Sequence, residues 1–128
     1  MDFNQWDQRI GKRQQVRSVP IAWTKDPEKP VGFAAESDPD GRIVEVSVSG
    51  AGIVARADDT IEIGDKMHMM CLGAIGPVLV RRIERNIYPG EHYYGVEYGE
   101  PNSSMTRGIY SSLLAKETDA PTQYLPQG

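Results

Sequence analysis

Arg13 and Arg17, four residues apart, open the part of this chain whose residue types could do chemistry. A guanidinium is a planar fork of donors. It grips phosphate through two parallel hydrogen bonds, and the same fork fits the O6 and N7 acceptors of guanine. Lys12 stands directly before the pair as a further cation. Later, Ser47-Val48-Ser49-Gly50-Ala51-Gly52 sets two hydroxyls ahead of two glycines. On a strand, residues i and i+2 share a face, so Ser47 and Ser49 would point at one object. Gly50 and Gly52 would let the backbone turn and come close to it. The combination suits gripping an anion and supplies no obvious means of transforming one.

Enzymatic readings find less support. The two histidines, His68 and His92, fall in predicted strands, and neither has a sequence neighbour that completes a triad. Ser47-Val48-Ser49-Gly50 lacks the glycine spacing of a nucleophile elbow. Asp58-Asp59 sits in a turn signal, where carboxylates are solvated. Met67-His68-Met69-Met70-Cys71 carries soft-metal donors. Strand alternation, however, turns Met67, Met69 and Cys71 one way and His68 and Met70 the other, and methionine is an ordinary filler of irregular cores. Gly50-Ala51-Gly52 lacks the full spacing of a dinucleotide loop, and no βαβ unit surrounds it. The expectation is a binding protein without catalysis, metal or cofactor.

Charge narrows the kind of ligand. The formal net charge of −4 and pI of about 5.1 count against a nucleic-acid partner, which calls for a positive field. The distribution is uneven: Arg9, Lys12, Arg13, Arg17 and Lys25 fall in a stretch with no Asp or Glu. A locally basic end on an acidic protein suits a small anion better than a long polyanion. Cys71 is the single cysteine and excludes an intramolecular disulfide. Residues 1–14 hold no apolar run of the secretory kind, and the longest apolar stretch, Met67 to Val80, is broken by His68, Gly73, Gly76 and Pro77. These features lead to the expectation of a cytoplasmic protein with no membrane insertion.

The elements that must position these residues can be read from periodicity. Residues 1–14 read as a flexible basic arm, 15–116 as one barrel domain with a helix, and 117–128, with Pro121 and Pro126, as a loose tail. Short Val- and Ile-rich runs punctuated by Gly, Pro and Asp predict strands over 16–24, 31–37, 41–49, 52–57, 66–73, 77–86 and 92–98. Within the third, Ile43, Glu45 and Ser47 would share one face and Val44, Val46 and Val48 the other. Met105, Ile109 and Leu113 recur at a spacing of four after Asn102-Ser103-Ser104, which predicts a helix over 103–115.

Taken together, RxxxR at Arg13–Arg17 and the later SxSxxG at Ser47-x-Ser49-x-x-Gly52 resemble the PilZ family of bacterial cyclic di-GMP receptors, whose pattern is RxxxR followed by (D/N)xSxxG. The likeness extends through Ile61-Glu62-Ile63-Gly64-Asp65 and Val78–Arg85 to Tyr94-Gly95-Val96-Glu97-Tyr98 and a closing helix, roughly residues 12–115. It implies a mainly β fold, a six- or seven-stranded antiparallel barrel with a C-terminal α-helix. It also implies a non-enzymatic receptor for the second messenger cyclic di-GMP, which signals by arm rearrangement to an unidentified output protein. Ligand-binding residues carried over are Arg13, Arg17, Ser49 and Gly52, with Lys12 as an added cation and Ser47 in the Asp/Asn place. That last departure replaces a carboxylate or amide by a shorter, uncharged hydroxyl, at a cost of about 1.5–3 kcal/mol if a charged hydrogen bond is lost. The competing expectation is a PilZ-type interaction adaptor that has lost cyclic di-GMP binding.

Overall fold

The computed structural model describes residues 14–28 and 34–114. The arm segment 1–13, with Lys12 and Arg13, and the tail 117–128 lie outside the described residues. Six strands form in chain order: β1 (Gln14–Thr24), β2 (Gly41–Val46), β3 (Gly50–Arg56), β4 (Lys66–Cys71), β5 (Ala74–Tyr88) and β6 (Glu91–Tyr98). They close into an antiparallel barrel in the order β1-β2-β3-β6-β5-β4. The protein is mainly β, as its turn-punctuated apolar runs require.

The barrel has six strands and not seven, because the predicted strand over 31–37 does not form where it is described. Ala34–Ser37 is instead a single helical turn, α1. Alanine and glutamate favour helix, and the segment lacks β-branched residues. Asp38 precedes Pro39, which drives it out of the helical region and ends the turn. Ala35 packs with Ala22 of β1 and Met70 of β4 as a small satellite of the core.

Inside the barrel, alternation is clean on β4 and interrupted on β6 at Gly95, whereas β3 is buried on both faces from Gly50 to Ala55. Ala51, Ile53 and Ala55 are buried, as are Met67, Met69 and Cys71, and Tyr94, Val96 and Tyr98. The soft-metal donors of β4 therefore line the core, and burial pushes the Cys71 thiol up to about 12. Trp23, on the short β1–β4 ladder that closes the barrel, meets Tyr94 edge-on at 5.2 Å. Each fully buried large apolar side chain contributes about 1.5–3 kcal/mol to the fold.

Alternation fails on β2. The β2–β3 register shifts between Ile43 and Glu45, so Ile43 and Val46, three residues apart, are both buried. A bulge inserts one residue and flips the remaining side chains. Glu45 therefore does not share a face with Ile43, and the strand ends at Val46, leaving Ser47–Ser49 in a turn. β1 shifts its register against β2 between Gln15 and Val19.

The closing helix, α2 (Ser104–Ile109), is capped by the Ser103 hydroxyl, which accepts from the Thr106 N–H at 3.1 Å. It continues as a π-helical turn over Tyr110–Leu114. Met105 and Ile109 are fully buried and join the barrel core, with Leu113 packed beside them. Among the described residues no helix is long and apolar enough to cross a membrane.

Candidate functional site

Register, more than sequence distance, decides which candidate residues meet. Gln15 of β1 pairs with Glu45 of β2, Glu45 with Gly52 of β3, Gly52 with Gly95 of β6, and Gly95 with Arg82 of β5. One continuous row thus crosses five strands. The backbone of Arg17 lies in β1 between Gln15 and Val19, within the irregular part of the β1–β2 ladder. Of the sequence-predicted site residues, Arg17 is therefore brought alongside the β2 segment that leads into Ser47. Its side chain, like Lys12 and Arg13, is outside the description.

Ser47 and Ser49 come together, though in a turn and not on a strand face. Their hydroxyl oxygens are 3.4 Å apart. Ser47 is buried, and its Oγ accepts from the N–H groups of Gly50 at 3.3 Å and Ser49 at 3.4 Å. Its own N–H donates to the Gly50 carbonyl at 2.8 Å. Outer groups brace the same turn: the Tyr98 hydroxyl donates to the Ser47 carbonyl at 3.2 Å, and the Tyr110 hydroxyl to the Val48 carbonyl at 2.6 Å. Ser49 is half-buried and stands at the rim.

Gly50 and Gly52 serve other ends than the expected turning of the chain. Both lie within β3. A Cβ on Gly50 would sit 1.9 Å from the Val96 carbonyl oxygen. A Cβ on Gly52 would meet the Tyr93 hydroxyl at 2.5 Å and the Glu45 Cγ at 2.7 Å. Glycine at 52 is thus required by two side chains that cross above it. The Tyr93 hydroxyl donates to Glu45 Oε2 at 2.6 Å. The Arg82 guanidinium lies 5.6 Å from the Tyr93 ring centroid and pairs with Glu84. On the neighbouring strand, the missing side chain of Gly95 leaves space filled by Arg82 Cβ at 3.3 Å and Tyr93 Cε2 at 3.7 Å.

Glu45, Tyr93 and Arg82 are the side chains that sequence reading missed as site candidates. Their signal was present as two strand-interior glycines, which mark close approach of another group. The bulge that moves Glu45 left no such trace. Elsewhere, His92 is buried and accepts from the Asn86 N–H through Nδ1 at 3.0 Å, with Nε2 3.4 Å from Asp59 Oδ1. The Nδ1 bond ties the end of β5 to β6 across the Asn86–His92 connection. Among the described residues no three His, Cys, Asp or Glu side chains gather as a metal group.

The class so defined is a closed six-stranded antiparallel barrel with a serine-braced turn and a polar row on its outer wall. Neither the protein-family models nor the curated proteins searched give a match to this chain.

Proposed function

We propose that this protein is a non-enzymatic, PilZ-type receptor for cyclic di-GMP that acts in the cytoplasm through a partner protein. The observation that carries the reading is the β1–β2–β3 register, in which Gln14 and Gln15, inside the RxxxR segment, pair with Val46 and Glu45, the residues that lead into the Ser47 turn. Arg13 and Arg17 would grip phosphate and guanine, with Lys12 adding charge, and Ser49 would meet the ligand at the turn.

The same register offers a second alignment of the serine motif. Glu45-x-Ser47-x-x-Gly50 keeps a carboxylate in the first place, a serine in the second and a glycine in the last. Ser47 then braces the turn, Gly50 allows the close approach to Val96, and Glu45 supplies the acceptor for a guanine edge. Gly52 becomes the floor beneath that acceptor. This alignment removes the need for a serine to stand in for a carboxylate.

Titration calorimetry of the full chain with cyclic di-GMP, beside a short single-stranded oligonucleotide, tests the reading. Saturable binding of the cyclic dinucleotide alone is expected, with strong loss in Arg13→Ala and in Arg17→Ala. No heat with either ligand would leave the adaptor reading, which the engagement of the Ser47 hydroxyl in its own turn favours.

A further inference from the structure

The side chain of Tyr93 does something unusual for a strand residue. It starts on β6 and reaches a hydroxyl partner on β2, across the whole of β3. An upright side chain would stand away from the sheet. Tyr93 can lean over β3 because Gly52 has no side chain, and its ring edge passes Gly95 at 3.7 Å from where a Cβ would be. Glu45 holds the far end. The ring is therefore oriented before any ligand arrives, which reduces the ordering cost of binding on it.

Arg82 completes the arrangement. Its guanidinium lies over the Tyr93 ring and pairs with Glu84, and the two charged side chains are 40 % and 43 % exposed. An ion pair that exposed is held weakly enough to exchange for a stronger anion. An aromatic plane beside an arginine is the combination that receives a nucleotide, the base by stacking and the phosphate by the guanidinium fork. The row from Glu45 to Arg82 crosses three strand gaps, about 14 Å.

We propose that Tyr93 is the stacking platform for a guanine base of the ligand and that Arg82 takes the adjoining phosphate. The binding surface then extends from the β1–β2 edge over β3 and β6 to β5. This rests on the receptor reading above. On binding, the base takes the place of the guanidinium over the ring, and Arg82 turns from Glu84 to phosphate. Glu45 keeps its grip on the Tyr93 hydroxyl and sets the tilt of the plane.

The test uses the full chain, cyclic di-GMP, calorimetry and the proton spectrum of the ligand. In the parent, the guanine H8 resonance should move upfield under the ring current of Tyr93. Tyr93→Leu should weaken binding about tenfold or more and abolish the H8 shift. Tyr93→Phe keeps the ring and should keep the shift, with a smaller loss of affinity. Arg82→Gln should weaken binding and lower the slope of log affinity against log salt by about one phosphate contact. Parent-like affinity and H8 shift in Tyr93→Leu would overturn the platform while leaving the receptor reading intact. Should Tyr93→Leu fail to fold, an H8 resonance unmoved in the saturated parent overturns it equally. Absence of binding by the parent overturns both.

Discussion

Two hairpins of this barrel are closed by different means. The β4–β5 turn, Leu72-Gly73, joins the pair Cys71 and Ala74 with φ of +52° and +79°. Two left-handed residues in a two-residue loop are what a type I′ turn requires, and they match the twist of the flanking strands. Its shape is stored in its own backbone. The β2–β3 turn, Ser47–Ser49, follows the pair Val46 and Ala51 and contains no residue of positive φ. It is held by the Ser47 hydroxyl from within, and by Tyr98 and Tyr110 from 51 and 62 residues away in sequence. The first turn would keep its shape on any hairpin. The second is fully braced only once β6 and the closing helix have docked. A turn fixed by tertiary contacts is expensive to build, and it holds Ser49 in one position.

Alanine in place of glycine separates the two modes most sharply. Gly50→Ala pushes a methyl against the backbone carbonyl of Val96, which has no rotamer to change. It should cost about 3 kcal/mol or more, seen as a lowered melting temperature and a lower denaturant midpoint. Gly73→Ala meets no atom within 4 Å and carries only the left-handed penalty, about 1–2 kcal/mol. Equal losses at the two positions would break the distinction.

The serine comes next. Ser47→Ala leaves the N–H of Gly50, a buried residue, without its side-chain acceptor. The expected loss is about 1–2 kcal/mol by thermal or urea denaturation. In the other turn, Leu72 is a bulky residue at positive φ and 43 % exposed, so little packing holds it there. Leu72→Asn should therefore stabilise by about 0.5–1 kcal/mol, because asparagine adopts that conformation more readily. A destabilised Leu72→Asn protein would show that packing, not backbone strain, governs this turn.

The two turns also show what sequence could reveal. Leu72-Gly73 lies at the edge of a strand predicted over 66–73, and the structure stops it two residues sooner. The barrel class was legible because short Val- and Ile-rich runs are punctuated by Gly, Pro and Asp turn signals, and of the strands they predict β4 alternates cleanly between core and surface. Met105, Ile109 and Leu113 at a spacing of four likewise revealed the helix. The β2 face was not legible, since a bulge leaves no mark in composition and one inserted residue reverses every side chain after it. Ser47 and Ser49 looked like a strand pair for the same reason. They do meet, but through a turn whose braces lie on β6 and in the closing helix. The helical turn at Ala34–Ser37 was missed because Val31 and Phe33 made the segment read as a strand. As for the site, the RxxxR and serine texts were visible. The Tyr93 bridge was not, because it depends on which strand lies between β2 and β6.

A third connection sharpens the comparison at its smallest scale. In the loop after β3, Asp58 Oδ1 accepts from the Thr60 hydroxyl at 2.6 Å and from the Thr60 N–H at 2.9 Å. This turn is closed by a side chain, as at Ser47, but by one that titrates. The Thr60 hydroxyl first, and its N–H second, hold the Asp58 carboxyl below its ordinary value of 3.8; Lys25 adds a little and partial burial opposes. A carboxyl depressed in the fold contributes stability above its unfolded value. That contribution is lost as pH falls from about 3.8 through the lower folded value. Asp58 is exposed, so the global melt should hardly register the change. The Thr60 amide should register it, shifting in the proton–nitrogen spectrum as the carboxylate takes up its proton. Thr60→Val removes the stronger of the two bonds and should move the Asp58 midpoint up toward 3.8. The Gly50 amide, whose side-chain acceptor is a hydroxyl, should show no step at that midpoint in either protein. A Gly50 step that moves with the Asp58 midpoint in Thr60→Val would mean that the two side-chain-closed turns are coupled through β3. The Ser47 turn would then be a pH-responsive element and not a fixed brace.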